Sequence, residues 1–188
     1  FRRVLFRSGR ASFSNLAVDA ASEGQSFALA AANDGGLTPV TTNALVADIV
    51  ATQMVFTAQP THSGVSNGDV LSGVPFQTQP IVSAQDAGGR IDTHFNDTIA
   101  LTTSAPGTLS GATSQQATSG VATFTDIAYT ATADQQSFAL LADDLPGGSG
   151  GDLPSASTNS RTADIVATKI VFTTFPSDAA ATNGDVVS

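Results

Sequence analysis

The chain has 188 residues, 41% of them hydrophobic and 12% charged, so it can bury a core and lacks the low-hydrophobicity, high-charge signature of disorder. Its net charge of −9 argues against nucleic acid and anionic membrane surfaces as partners, because phosphate groups require a basic face. With no Cys there is no disulfide framework, thiolate-held zinc, iron–sulfur cluster or thiol nucleophile, and no apolar run approaches the roughly 18 residues of a spanning helix.

Residues 1–8, "FRRVLFRS", hold three of the seven basic residues (Arg2, Arg3 and Arg7), leaving the body with Arg10, Arg90, Arg161 and Lys169. The octapeptide resembles the translated end of a sequencing-library adapter. It is expected to be a non-native segment on a reading frame assembled from environmental DNA and cut at both ends. From residue 9 onward the chain is built on an internal repeat. "GRASFSNLAV" (9–18) aligns with "GVATFTDIAY" (120–129), and "QSFALAAANDGG" from Gln25 aligns with "QSFALLADDLPGG" from Gln136, both at an offset of 111. A five-residue insertion in the next Gly/Pro/Ser-rich loop raises the offset to 116, at which "ADIVATQMVFTAQP" (47–60) returns as "ADIVATKIVFTTFP" (163–176). A period of about 115 residues is too long for a solenoid unit and suits a tandem array of sandwich-sized domains. The expected organisation is the C-terminal part of one repeat over 9–51, a complete repeat over 52–167, and the start of a following repeat over 168–188.

Inside the complete repeat the apolar residues alternate in short runs. The stretch 76–84 sets Phe76, Thr78, Pro80, Val82 and Ala84 on one side, with Gln77, Gln79 and Ser83 on the other, and Pro80 marks an edge or a bulge. "TIALT" puts Ile99 and Leu101 on one face, and "SFALLAD" does the same with Phe138, Leu140 and Ala142. Turn signals intervene at "SNGD", "DAGG", "APG", "TSG" and "LPGGSGG", and helical periodicity is absent. Fifteen of the sixteen acids are Asp, a turn and cap residue, which again favours loops joining strands over helices. About seven short strands spaced by such turns predict an all-β fold, an immunoglobulin-like β-sandwich repeated in tandem.

The segments "ATKIVFTTFP", "PIVSAQDAGGRI", "GTLSGAT" and "GVATFTDIAY" resemble the bacterial Ig-like repeats strung along large extracellular surface and adhesin proteins. The resemblance covers nearly all of 9–188. It implies an extracellular or cell-surface location and a structural role in a stalk or filament, with a cell-surface or polysaccharide receptor as one partner. The incomplete repeats over 9–51 and 168–188 would leave apolar faces and strand edges exposed, so neighbouring copies are the other expected partner, joined in one longer polypeptide or by strand donation between chains. Members commonly place a Tyr where this chain has Phe138, which removes the phenolic hydrogen bond to backbone at that corner.

Little in the sequence points to catalysis. The two imidazoles, His62 and His94, have no second His nearby, and His62 aligns with Asp178 in the next copy; structural or solvated roles are expected for both. There is no G-x-S-x-G nucleophile turn and no phosphate-binding loop. A glycosidase carboxylate pair would need an aromatic-lined cleft, and the chain has one Tyr and no Trp. No enzymatic activity is expected.

The aspartates pose a topological question. In a Greek-key sandwich the loops after the second and sixth strands share the pole next to the preceding domain. That pole would collect Asp86 and Asp92 from one loop and Asp143, Asp144 and Asp152 from the other, with Asp48 facing them. Carboxylates converging without basic partners repel one another unless a hard cation neutralises them, so Ca²⁺ at repeat junctions is one expectation. Independent turn-forming aspartates in water are the other. Asn96 opens a weak N-glycosylation sequon with Asp97 and Thr98. A spacer or carbohydrate-binding module of a secreted polysaccharide-degrading enzyme is the alternative role, and an exposed aromatic platform would distinguish it.

Overall fold

The computed structural model describes residues 11–32, 35–62, 69–145 and 151–174; the expectations for residues 1–8 and for 175–188 lie outside these. The described residues contain strands and no helix. Residues 11–51 carry four short strands: β1 (Ser26–Phe27), β2 (Ala30–Ala31), β3 (Val40–Thr41) and β4 (Leu45–Val46). The stretch 52–167 carries β5 (Gln53–Ala58), β6 (Val70–Leu71), β7 (Ile81–Gln85), β8 (Thr98–Thr103), β9 (Thr108–Ser110), β10 (Ser114–Gln116), β11 (Val121–Thr123), β12 (Ala128–Thr130), β13 (Gln136–Phe138), β14 (Leu140–Asp144), β15 (Ala156–Ser157) and β16 (Arg161–Asp164).

Two sheets make the sandwich. One has the order β11-β7-β5 and the other β10-β8-β14-β15, all antiparallel. Their inward faces share one core, to which β5 gives Met54 and Phe56, β7 gives Val82 and Ala84, β8 gives Ile99 and Leu101, and β14 gives Leu140 and Ala142. β7 pairs with β5 and β11, β8 with β14, and β14 with β15, which is the pairing of an immunoglobulin-like sandwich. A smaller sheet, β13-β16-β6, closes one end through a parallel pair, Ala163↔Val70 and Asp164↔Leu71.

The alternation over "TIALT" and "SFALLAD" agrees with the structure: Ile99, Leu101, Phe138, Leu140 and Ala142 are buried. Two details differ. The run beginning at Gln136 is broken at Ala139, because β13 pairs with β16 whereas β14 pairs with β8 and β15. One continuous stretch therefore serves two sheets, and the segments outnumber the seven strands expected. The run 76–84 is strand only from Ile81, where β7 begins; Pro80 directly precedes it, and Ser83 is buried, its hydroxyl accepting a hydrogen bond from Gln85 Nε2 at 2.7 Å.

The corner with Phe138 has a different solution from the one the resemblance implies. Tyr129, wholly buried, stacks on Phe138 with centroids 3.9 Å apart and donates its hydroxyl to Gln136 Oε1 at 3.0 Å. Gly107 lets that ring in, since a Cβ there would lie 2.4 Å from it.

The hairpin in 11–51 repeats the last hairpin of the sandwich residue for residue. Ser26↔Val46 and Phe27↔Leu45 correspond to Ser137↔Thr162 and Phe138↔Arg161, and Ala30↔Thr41 and Ala31↔Val40 correspond to Leu141↔Ser157 and Ala142↔Ala156. Left-handed backbone recurs at matching positions as well, at Asn15 (φ 58°) and Asp126 (φ 59°), and at Gly24 (φ 70°) and Gln135 (φ 55°). Burial does not recur: Leu140 is 0% exposed, while its counterpart Leu29 is 37% exposed.

Candidate functional site

The loop 86–97, between β7 and β8, faces residues 19–51 and forms a polar seam with them. Its first half is a turn built on Asp86, whose Oδ1 accepts from the backbone N–H of Gly88 and of Arg90, both at 2.9 Å. Gly89, at φ 80°, supplies the left-handed step. Asp86 Oδ2 accepts from Arg90 Nε at 2.8 Å, so the guanidinium is aimed by its own loop. The Arg90 backbone N–H holds the Asp86 carboxyl below the usual carboxylate range, with the guanidinium and Gly88 adding to the effect. Arg90 Nη1 then crosses the seam to Asp19 Oδ1 and to the carbonyl of Ala20, and the Asp19 hydrogen bond raises the guanidinium's pKa first among its causes.

The second half of the loop turns on Asp92, which is buried. Its Oδ1 accepts from the N–H groups of His94 and Phe95, at 2.9 and 3.1 Å, and its Oδ2 accepts from Ala51 N–H at 3.0 Å. One carboxylate thus caps the loop and pins the connection leading into β5.

His94 completes the seam. Its Nδ1 lies 3.0 Å from Asp48 Oδ1 and 3.6 Å from Glu23 Oε1. Glu23 is oriented by two backbone donors, Gly24 N–H to Oε1 at 3.2 Å and Ile49 N–H to Oε2 at 3.1 Å. The hydrogen bond to Asp48, then the charge of Glu23, raise the His94 pKa above 6.5. A raised folded-state pKa means that the ion pairs stabilise fully below the unfolded value and are lost as pH rises through the folded one. The expected result is an imidazole titration midpoint above 6.5 by NMR that falls back in Asp48→Asn, with the seam loosening only above 6.5. A midpoint unchanged by Asp48→Asn would mean that the ion pair does not form.

The six aspartates expected to hold calcium are therefore distributed among different tasks. Asp86 and Asp92 are occupied by protein N–H donors and Arg90, and Asp48 faces His94. Asp143, Asp144 and Asp152 do lie at the same pole, as β14 pairs with β8 through Asp144↔Ile99, but they stay with their own loop. Asp144 is buried and both its oxygens accept from Leu153 N–H, at 3.1 and 3.2 Å. Burial pushes its carboxyl upward, and the charges of Asp152 and Asp143 add to that. Asp143 and Asp152 are exposed. Among the described residues the metal-capable group that converges is instead Glu23, Asp48 and His94, whose ligand atoms lie within 4.8 Å of one another. This imidazole–carboxylate set differs from the oxygen-only set expected for calcium.

The remaining sequence expectations fall outside the seam. His62 is half-buried, receives Leu71 N–H at 3.4 Å and lies edge-on to Phe76. Asn96 is exposed and its carbonyl accepts from Gln116 Nε2 at 3.2 Å. Sequence reasoning does not single out Arg90, Asp19 or Glu23 as site residues; the signal for Glu23 is its alignment with another acid, Asp134.

An all-β, immunoglobulin-like sandwich with a polar seam to the hairpin before it is the class that fold and site define. No protein-family model and no curated protein matches the chain. Among solved structures it is similar to a glycosyl hydrolase family 2 member from Bacteroides cellulosilyticus, at 14% identity and a TM-score of 0.46, over 76% of this chain and 18% of that one. A family 2 member from Bacteroides cellulosilyticus DSM 14838 is similar at 14% identity and a TM-score of 0.45, over 75% and 18% of the two chains. The chain thus spans under a fifth of the length of these structures.

Proposed function

We propose that the chain is a non-catalytic structural segment of a large repetitive extracellular surface protein or fibre, whose function is reach and stiffness. Each sandwich buries its own core, and the connection between copies is held by side chains. The observation that carries this reading is the seam: Arg90 against Asp19, Asp92 against Ala51, and His94 against Asp48 and Glu23 tie residues 19–51 to the sandwich at four separate places. A flexible linker would have no such ties. Against the alternative, a carbohydrate-binding module, stands the burial of Tyr129, Phe76, Phe95, Phe124 and Phe138 in the core; among the described rings Phe13 and Phe172 are exposed, and they belong to different repeats.

The test is hydrogen exchange at Ile49 and Ala51 in the full chain, with affinity electrophoresis in soluble polysaccharides run beside it. Arg90→Ala combined with His94→Ala is expected to speed exchange at both amides about tenfold or more while the sandwich melts unchanged. No retardation by polysaccharide is expected. A chelator is expected to leave exchange as it was, because protein donors already occupy Asp86 and Asp92, and Asp48 and Glu23 are paired with His94 and backbone N–H groups. Unchanged exchange in the double variant, or strong retardation in a polysaccharide gel, would overturn the reading.

A further inference from the structure

The chain contains one formed junction and, at the far end of the sandwich, the half of a second. Across the repeat, Glu23 corresponds to Asp134, Asp48 to Asp164 and Ile49 to Ile165. The correspondence is structural too. Glu23 accepts from Ile49 N–H at 3.1 Å and Asp134 accepts from Ile165 N–H at 2.9 Å; each also accepts from the N–H of the residue after it. The two poles are thus built on the same carboxylate-capped turn.

They differ in what covers them. At the formed junction Ile49 is 6% exposed, in a shallow cleft that it shares with Arg90, Ile91 and Thr93 of the 86–97 loop. At the other pole Ile165 is 43% exposed, and beside it the Asp164 carboxylate accepts a long hydrogen bond from Gln135 Nε2 at 3.4 Å.

We infer that the pole made by Asp134, Asp164 and Ile165 is a docking surface for a further copy of the repeat, in line after residue 167, which sets its own counterpart of the 86–97 loop against it. The inference rests on the spacer reading and specifies its partner. Charge and apolarity both match: the loop brings an imidazole to the two carboxylates that correspond to those His94 meets, and Ile91 and Thr93 to an open isoleucine. Covalent continuity is part of the match, because in the formed junction Asp92 binds Ala51 N–H within the connection itself. The second seam would not be identical. Thr130 stands where Asp19 does, so the guanidinium loses its carboxylate across the seam and keeps a carbonyl, that of Ala131.

The experiment extends the full chain so that residues 168–188 run on into a second copy of 73–167. Hydrogen exchange at the amides of 165–167 is compared between the extended and the present chain. Docking predicts slowing of about tenfold or more in the extended chain, reversed there by Ile165→Asp with both repeats still melting cooperatively. Equal exchange rates with both repeats folded would overturn the inference and leave a string of loosely joined sandwiches. That outcome is separable from failure of the spacer reading, which shows in the present chain at Ile49 and Ala51.

Discussion

Phe138→Ala is expected to cost the sandwich about 3–5 kcal/mol, whereas Phe27→Ala, the same change at the matching position of the first hairpin, is expected to cost about 1 kcal/mol or less. The two phenylalanines share sequence context, strand register and cross-strand position, so local propensity cancels between them. What differs is cover. Phe138 is 2% exposed, stacked between Tyr129 at 3.9 Å and Phe76 at 6.3 Å, and its removal leaves a cavity beneath two rings. Phe27 is only half-buried, on a hairpin whose apolar face includes the exposed Leu29. Urea denaturation of the two variants against the parent chain measures the difference. Equal losses would mean that the first hairpin is as well covered as the second, contrary to its exposure.

The same contrast separates what neighbours in the chain determine from what distant partners determine. The inward positions of β8 and β14 are legible in the sequence because alternation needs only neighbours two apart in the chain. Where the run from Gln136 changes sheets is not legible, since Ala139 differs in no local way from its neighbours and the break is set by partners at β16 and β8. Ser83 and Asp144 are unexpected inside because alternation takes no account of polar partners: Gln85 Nε2, two residues along the same strand, reaches the Ser83 hydroxyl, and the folded loop brings Leu153 N–H to Asp144.

The seam is half legible. The acids near the junction can be collected from the loop order, and Asp48 does face the 86–97 loop. Their partners cannot be read, because Arg90 meets Asp19 across 71 positions, His94 meets Asp48 across 46, and Asp92 meets Ala51 across 41. Counting charges also hides the answer: four basic residues in the body look sparse against sixteen acids, yet Arg90 is placed where it serves two of them.

Gly120→Ala is expected to cost about 3 kcal/mol or more and to loosen the seam as well. Ser119 and Gly120, at φ 49° and 78°, form the two-residue turn that joins Thr118 to Val121. Positive φ at both central positions is the signature of the tight hairpin turn that follows strand twist. An added methyl incurs the left-handed penalty and also meets the Asp92 carbonyl oxygen at 2.3 Å and Ile91 Cγ2 at 2.6 Å, distances at which the backbone must move. The backbone that moves is the one that aims Asp92 at Ala51 and carries Arg90 and His94 on either side. Gly24→Ala provides the control, since Gly24 also has positive φ, 70°, but open space around the would-be Cβ; it should cost about 1 kcal/mol. Thermal melting gives the stability difference, and exchange at Ala51 should rise in the first variant. If the two variants melt alike and Ala51 stays protected in both, Gly120 is only a turn residue, and the close approach of the 118–121 hairpin does not hold the loop in place.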